Sequence, residues 1–243
     1  MDDQWRNFLR NLGAWRGTFA NLSPAGALQD ETASLLTLEA ADDDRLVIFS
    51  LRRWPTLEPV GEPSRDNRQE YRSLGRQVVF FETGAFCKGS LQVAPGTVFG
   101  GEFAFVTADR RHRLVHLTDA DGVPAQLVLI REQREGSTGI ERPAASPEQL
   151  GGPWRGQATT ISADWWVPAT ADCHFDLADA GPGGWCWLPD GGFCRLPARV
   201  SHREAFSVEA GWLAAPDRLE RLIRRYDASG AWTSATHEVL SRG

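Results

Sequence analysis

Gly13-Ala14-Trp15-Arg16-Gly17 returns as Gly152-Pro153-Trp154-Arg155-Gly156 near the start of the second half of the 243-residue chain. Two further echoes follow in the same order. Phe86-Cys87-Lys88 returns as Phe193-Cys194-Arg195, and Arg113-Leu114-Val115 through Gly122 returns as Arg221-Leu222-Ile223 through Gly230. Ordered matches of this kind mark a duplication. They predict two units of ordinary domain size: residues 1–136, a linker at 137–146, and residues 147–243.

Outward from each Gly-x-Trp, the pattern is one of short strands. Runs such as Ser34 to Glu39, Leu46 to Leu51, Glu102 to Thr107, Phe206 to Leu213 and Leu219 to Tyr226 are separated by turn chemistry, including Asp119-Ala120-Asp121-Gly122. Many short strands without helices between them predict an all-β fold of antiparallel barrels or sandwiches. Pro189-Asp190-Gly191-Gly192 predicts a tight hairpin. Before the first Gly-x-Trp, residues Asp3 to Leu12 place Trp5, Phe8, Leu9 and Leu12 on one face at helical spacing, which predicts a short capping helix. Ser146-Pro147-Glu148-Gln149 predicts one further helical turn, with serine as its cap and proline at its first position. Pro55 to Gln69, rich in proline, glycine and charge, reads as an irregular insertion, because the second half has no equivalent.

A hydrophobic fraction of 42% and a net charge of -6 describe a globular chain that has no use for nucleic acid as a partner. No apolar run is long enough to cross a bilayer as a helix, and the acidic start Met1-Asp2-Asp3-Gln4 is unlike a secretory signal, so a cytoplasmic location is expected. The four cysteines, Cys87, Cys173, Cys186 and Cys194, are split one against three between the halves, and reduced thiols are the expectation. Their spacing fits no zinc pattern, and no metal is expected.

Gly-x-Trp on the presumed first strand of each half resembles the signature of the lipocalin, or calycin, barrels. That resemblance implies a tandem of two lipocalin-like barrels in which an arginine from the last strand stacks over the tryptophan. The matching pairs are Trp15 with Arg131 or Arg134, and Trp154 with Arg242. A longer set of residues is similar to a cyanobacterial two-domain calycin family of unknown function. It comprises Trp5-x-x-Phe8-Leu9-x-Asn11-Leu12-Gly13-x-Trp15-x-Gly17, Gly84-Ala85-Phe86 with Gly89-Ser90, and Arg221-x-x-Arg224-x-Tyr226-Asp227-x-x-Gly230-x-Trp232. Its distant calycin neighbours include the bilin lyases, which deliver an open-chain tetrapyrrole to a phycobiliprotein. The resemblance therefore implies a small apolar ligand such as a bilin, and a phycobiliprotein as a conceivable partner. No catalytic residue carries over.

The residues themselves offer a compatible picture. A barrel open at one end is a cup for an apolar ligand. Trp54, Tyr71, Trp165, Trp166, Trp185, Trp187 and Trp212 are candidates to line it, with core packing as the alternative for each. Trp165 and Trp166 are adjacent, so on a strand they face opposite ways. Arg72, Arg76, Arg195 and Arg199 lie beside aromatic residues and are candidates to clamp ligand carboxylates, with exterior ion pairs to Glu70 or Glu82 as the alternative. Arg195 and Arg199 share a face only if their strand runs unbroken through Pro197. Seven of the ten tryptophans lie from Trp154 onward, which points to the second barrel as the ligand-binding one. The competing reading is a structural or interaction module whose barrels are filled by side chains. No nucleophile with its base, no carboxylate pair and no phosphate-cradling loop stands out, so an enzymatic role has no positive support.

Overall fold

The computed structural model describes residues 3–164, 167–180 and 184–242. Helix α1 (Asp3–Leu9) precedes nine strands: β1 (Gly13–Leu22), β2 (Leu28–Ala41), β3 (Leu46–Arg53), β4 (Arg65–Tyr71), β5 (Val78–Phe80), β6 (Phe86–Gly89), β7 (Gly100–Val106), β8 (Arg110–Thr118) and β9 (Pro124–Arg134). The short helix α2 (Pro147–Leu150) precedes seven more: β10 (Trp154–Ser162), β11 (Ala169–Phe175), β12 (Trp185–Trp187), β13 (Gly192–Arg195), β14 (Phe206–Ala215), β15 (Arg218–Tyr226) and β16 (Trp232–Ser241). They form two antiparallel sheets, ordered β4-β3-β2-β1-β9-β8-β7-β6-β5 and β11-β10-β16-β15-β14-β13-β12. The architecture is all-β and lipocalin-like.

The orders superimpose when β1 is set on β10, and every strand of the second sheet then has a counterpart in the first. Among the described residues the second sheet has nothing in place of β3 and β4. The stretch read as an irregular insertion from Pro55 to Gln69 is thus partly a strand, since β4 starts at Arg65 and pairs with β3 through all seven of its residues. Its charges hid it from a periodicity reading. An edge strand exposed on its outer side tolerates Arg65, Asp66, Arg68 and Glu70.

The floor of each unit repeats the same contacts. Arg134 lies over the Trp15 ring at 4.4 Å and Arg242 over the Trp154 ring at 3.9 Å. The Trp15 indole donates to the Asn11 carbonyl and the Trp154 indole to the Leu150 carbonyl. Arg134 also donates to the carbonyl of Leu12, and Arg242 to that of Gln149. Each tryptophan therefore ties the first strand to the helix before it and to the last strand of its own sheet. The glycine two residues later is also required. A Cβ at Gly17 would collide with the Arg131 carbonyl, and one at Gly156 with the Val239 carbonyl, so only glycine lets these strands approach.

Side chains alternate across every strand, and the two faces of the central strands have different destinations. In β8, Arg111 and Arg113 point into the first cup, whereas His112, Leu114 and His116 point out. The outward residues join Leu22, Phe103, Phe105, Leu127 and Leu129 in a core shared with Val208, Ala210, Trp212, Leu222 and Ala235 of the second unit. The units are thus joined back to back, convex face on convex face. A smaller core gathers Trp5 and Phe8 of α1 with Trp15, Leu36, Leu38, Val47, Phe80 and Val106. Strands near the two ends of the first sheet, β3 and β5, both contribute to it, so the sheet curls around a hollow that the helix closes at one side.

Candidate functional site

The hollow of the first unit is a cavity of about 270 Å³. Its wall is apolar over most of its extent: Phe8 from α1, Leu36 and Leu38 from β2, Phe49 from β3, Phe80 from β5 and Phe86 from β6. Tyr71, the last residue of β4, stands among them, with its ring edge-on to Phe8 and Phe49 and its hydroxyl donating to Gln69 Oε1 at 2.6 Å. The polar remainder is concentrated in Asn11, Lys88, Glu102, Arg111 and Arg113. These residue types converge because Lys88, Glu102, Arg111 and Arg113 occupy inward positions on three neighbouring strands.

Their charges are laced together. Arg113 donates to Glu102 Oε1 at 2.7 Å and to both oxygens of Glu132 at 3.0 Å, while Arg111 Nε donates to Glu132 Oε2 at 2.7 Å. Lys88 Nζ reaches Glu102 Oε2 at 2.8 Å. Burial pushes the Glu102 carboxyl up, but Lys88 and Arg113 outweigh it and hold the group at about 2. Glu132 is likewise held below the usual carboxylate range: burial raises it and the Arg111 and Arg113 guanidinium groups more than reverse this. Two carboxylates are therefore ionised against three cations. One donor is left over. Arg111 is only 2% exposed, lies over the Trp15 ring at 4.7 Å, and its Nη2 hydrogen-bonds nothing. Asn11 Oδ1, the amide oxygen of another wall residue, also has no hydrogen-bond partner.

Outside this cavity lies a wider groove of about 820 Å³, lined in part by Trp5, Asp43, Asp44, Arg45, Arg72 and Arg76. The two spaces share Ser73, Leu74, Gly75 and Val78, so the 73–75 segment stands between them. Asp42, Asp43 and Asp44 all adopt the left-handed backbone conformation, at φ of 56, 52 and 64 degrees. That conformation is uncommon outside glycine, and here it turns the β2–β3 hairpin over the rim, where the Asp44 carbonyl accepts from the Trp5 indole at 2.6 Å.

Comparison with known proteins identifies the family. Residues 1–137, more than half of the chain, match the family described as domain of unknown function DUF3598, N-terminal. The chain belongs to the DUF3598 family. A crystal structure of a DUF3598 protein of unknown function from Nostoc punctiforme PCC 73102 is 36% identical, covers 100% of both chains and superimposes with a TM-score of 0.90. The DUF3598 match ends before the second unit, where residues 184–242 match the C-terminal domain of biogenesis factor required for ATP synthase 1. An S-type phycobiliprotein lyase, CPES from Guillardia theta, is 12% identical over 98% of this chain and 91% of its own, with a TM-score of 0.21, a likeness too low to carry an argument. No curated protein matches the chain.

Of the residues singled out from the sequence of this DUF3598 protein, Tyr71 lines the first cavity and Arg72 the outer groove, where its guanidinium is exposed and pairs with Asp42 at 2.9 Å. Trp54 is buried just after β3, and its indole donates to the Gly61 carbonyl at 3.0 Å, tying down the loop that follows. Trp185 and Trp187 do share one face of β12, with rings stacked 6.0 Å apart and packed on Phe193. Arg195 lies over Trp185 at 5.4 Å and donates to the Ala180 carbonyl. Arg199 is not on that face: β13 ends at Arg195, Pro197 follows, and Arg199 is exposed in a loop. Trp212 lines neither interior. It lies between the units, stacked on His112 at 5.6 Å, with its indole donating to the Asp190 carbonyl. Trp165 and Trp166 lie outside the described residues. All four cysteines are free. Among the described residues no three His, Cys, Asp or Glu side chains converge as a metal site would need, and no helix is long and apolar enough to cross a membrane.

Sequence reasoning missed Glu102, Arg111, Arg113 and Glu132. Their signal was present as charge at alternate positions, Arg111-x-Arg113, within strands that are otherwise apolar.

Proposed function

We propose that this protein binds a small, mainly apolar molecule in the cup of the first unit. The observation that carries this reading is the cavity itself, an apolar wall interrupted by one cluster of converging polar groups, which is the usual composition of a small-molecule site. At about 270 Å³ it lies just below the roughly 300–1,000 Å³ typical of such sites, and fits a correspondingly small ligand. A bilin, and with it a chaperone or lyase role toward a phycobiliprotein, is the specific form of this reading. An open-chain tetrapyrrole needs the outer groove as well as the cup, with the 73–75 segment drawn aside. The ligand is thereby assigned to the first unit, whereas the tryptophan content pointed to the second.

The test is calorimetric titration with 1-octanol, a neutral probe of suitable size. Saturable binding is expected for the parent, and Leu38→Trp, which fills the cup from β2, is expected to weaken it at least tenfold. Equal binding by both proteins would refute the site, and no binding by either would refute the reading. Phycocyanobilin added to the parent, followed through tryptophan quenching, checks the specific form.

A second reading, in which the C-terminal unit is an interaction module, is favoured by a different observation. The interior of that unit is occupied by Trp154, Phe175, Trp185, Trp187, Phe193 and Leu213, a packed cluster in the place where the first unit has room. The match of residues 184–242 to a biogenesis factor domain supports this division of roles.

A further inference from the structure

We infer that the ligand of the first cup carries an ionised acid group seated on Arg111; this rests on the proposal that the cup binds a ligand at all. The argument begins with an imbalance. Arg113 spends its guanidinium on Glu102 and Glu132, and Lys88 spends its ammonium on Glu102. Arg111 shares Glu132 with Arg113 through Nε alone, and its Nη2 remains without a hydrogen bond although the side chain is almost fully buried. A buried donor on a charged group is costly to leave unmade, far more so than on a neutral amide. Arg111 is part of the cavity wall, beside apolar side chains, and its Nη2 is itself buried.

The two nearest carboxylates are already engaged and leave one positive charge uncompensated among the lining residues. An anion entering the cup supplies both the missing acceptor and the missing charge, through the short charge-assisted bond that guanidinium groups form with carboxylates. The position of Arg111 also sets orientation. Its inward neighbours on β8 and β9 are Arg113 and Glu132, whereas Leu36, Leu38 and Phe49 line the opposite side, so the acid sits on the β8 side and the apolar body lies along β2 and β3. A hydroxyl or amide hydrogen elsewhere on the ligand would serve Asn11 Oδ1, the other unpartnered atom of the wall. The ligand class is therefore a short aliphatic or aromatic carboxylate rather than a neutral hydrocarbon, alcohol or ester.

The experiment compares octanoate with 1-octanol by calorimetry at pH 7, on the whole chain, and repeats the pair on Arg111→Met and Arg111→Lys. Octanoate is expected to bind the parent about tenfold to a hundredfold more tightly than octanol, the range for a hydrogen bond to a charged group. The ratio is expected to fall to near one in Arg111→Met and to recover in part in Arg111→Lys, which keeps the charge but not the fork. Because the ratio is first measured in the parent, the acid preference does not depend on either variant folding, and Arg111→Lys, which keeps the charge, tests the seat if Arg111→Met fails to fold. If octanol binds and octanoate binds no better, the acid assignment fails while the cup remains a site. If octanoate is preferred equally in parent and Arg111→Met, Arg111 is not the seat. If neither probe binds, the cup reading fails and the assignment falls with it.

Discussion

Glu102 offers a quantitative test of the charged wall. Its side chain is 6% exposed and its pKa is held at about 2 by Lys88 and Arg113, against an ordinary value of 4.5. A depressed carboxylate pKa stabilises the fold above the unfolded value, and the contribution is lost as pH falls through the folded value. The displacement of two and a half units corresponds to about 3 kcal/mol at pH 7 by linkage. By the same relation about 1 kcal/mol remains at pH 3, because the native carboxyl is still mostly ionised there while the unfolded one is mostly protonated. Both figures are upper estimates, since the half-exposed Lys88 is screened by salt. The assay is urea unfolding of the parent and Glu102→Gln at pH 7 and pH 3. Glutamine keeps the shape and cannot titrate, so the parent-minus-variant difference in unfolding free energy should shrink by about 2 kcal/mol between the two pH values. Glu132 and the surface carboxylates titrate in both proteins and largely cancel. A difference that stays constant from pH 7 to pH 3 would mean that Glu102 is not held ionised by its neighbours, and the account of the wall would be wrong.

Two other perturbations address the frame around the site. Asp190, fully buried in the β12–β13 turn, accepts from Arg110 at 2.5 Å and from the Arg142 amide at 2.9 Å, and faces His112, so it pins the second unit to β8. Asp190→Ala strands these groups and should lower unfolding free energy by about 3–5 kcal/mol, measured in urea at pH 7; a loss under 1 kcal/mol would show the anchor to be dispensable. Gly17→Ala and Gly156→Ala should each fail to fold or lose several degrees or more in thermal melting, because a β-carbon meets a strand carbonyl at both positions, whereas Gly151→Ala, with no such collision, should melt close to the parent.

Much of this frame was visible in the sequence because it depends on local, repeated constraints. The calycin resemblance paired Trp15 with Arg131 or Arg134 and Trp154 with Arg242, and the structure stacks Arg134 on Trp15 and Arg242 on Trp154. Ser146 caps α2 as its spacing implied, with Pro147 at the first turn. Pro189 to Gly192 forms the expected turn, with Asp190 and Gly191 at positive φ. What escaped detection lies on strands buried on both sides. Arg110-Arg111-His112-Arg113 contains no apolar residue, yet Arg111, His112 and Arg113 are buried, because one face of β8 lines the cup and the other meets the second unit. Periodicity exposes a half-buried strand, since one face must be polar. It carries no such contrast when ion pairs fill one face and an interface covers the other. Trp212 illustrates the same limit: its strand position was legible, but whether that face bounded a cavity or a neighbouring unit depended on how the two sheets pack.

The asymmetry of the duplication gives the site its logic. Both units keep the seven-strand frame, the tryptophan floor and an inward arginine held by two glutamates: Arg113 with Glu102 and Glu132, and Arg221 with Glu209 and Glu238. They diverge where β3 and β4 extend the first sheet and bring Phe49 and Tyr71 across from Phe80 and Phe86, which walls off a hollow. In the second unit the stacked indoles of Trp185 and Trp187 pack on Phe193, and Arg221 is covered by Phe175 at 4.2 Å. A like arginine–glutamate cluster, with its second glutamate at a different register position (Glu132 opposite Arg111, Glu238 opposite Arg221), is thus enclosed by aromatic side chains in one copy and borders open volume in the other. Only in the copy with open volume does a cluster of this kind also include Arg111, whose place on β15 is taken by Leu219. Among the described residues, extra strands, an unfilled interior and an additional cation all belong to the first unit, and each is a separate change from the shared frame. Their coincidence at one cavity is what favours a binding site there over a packing defect.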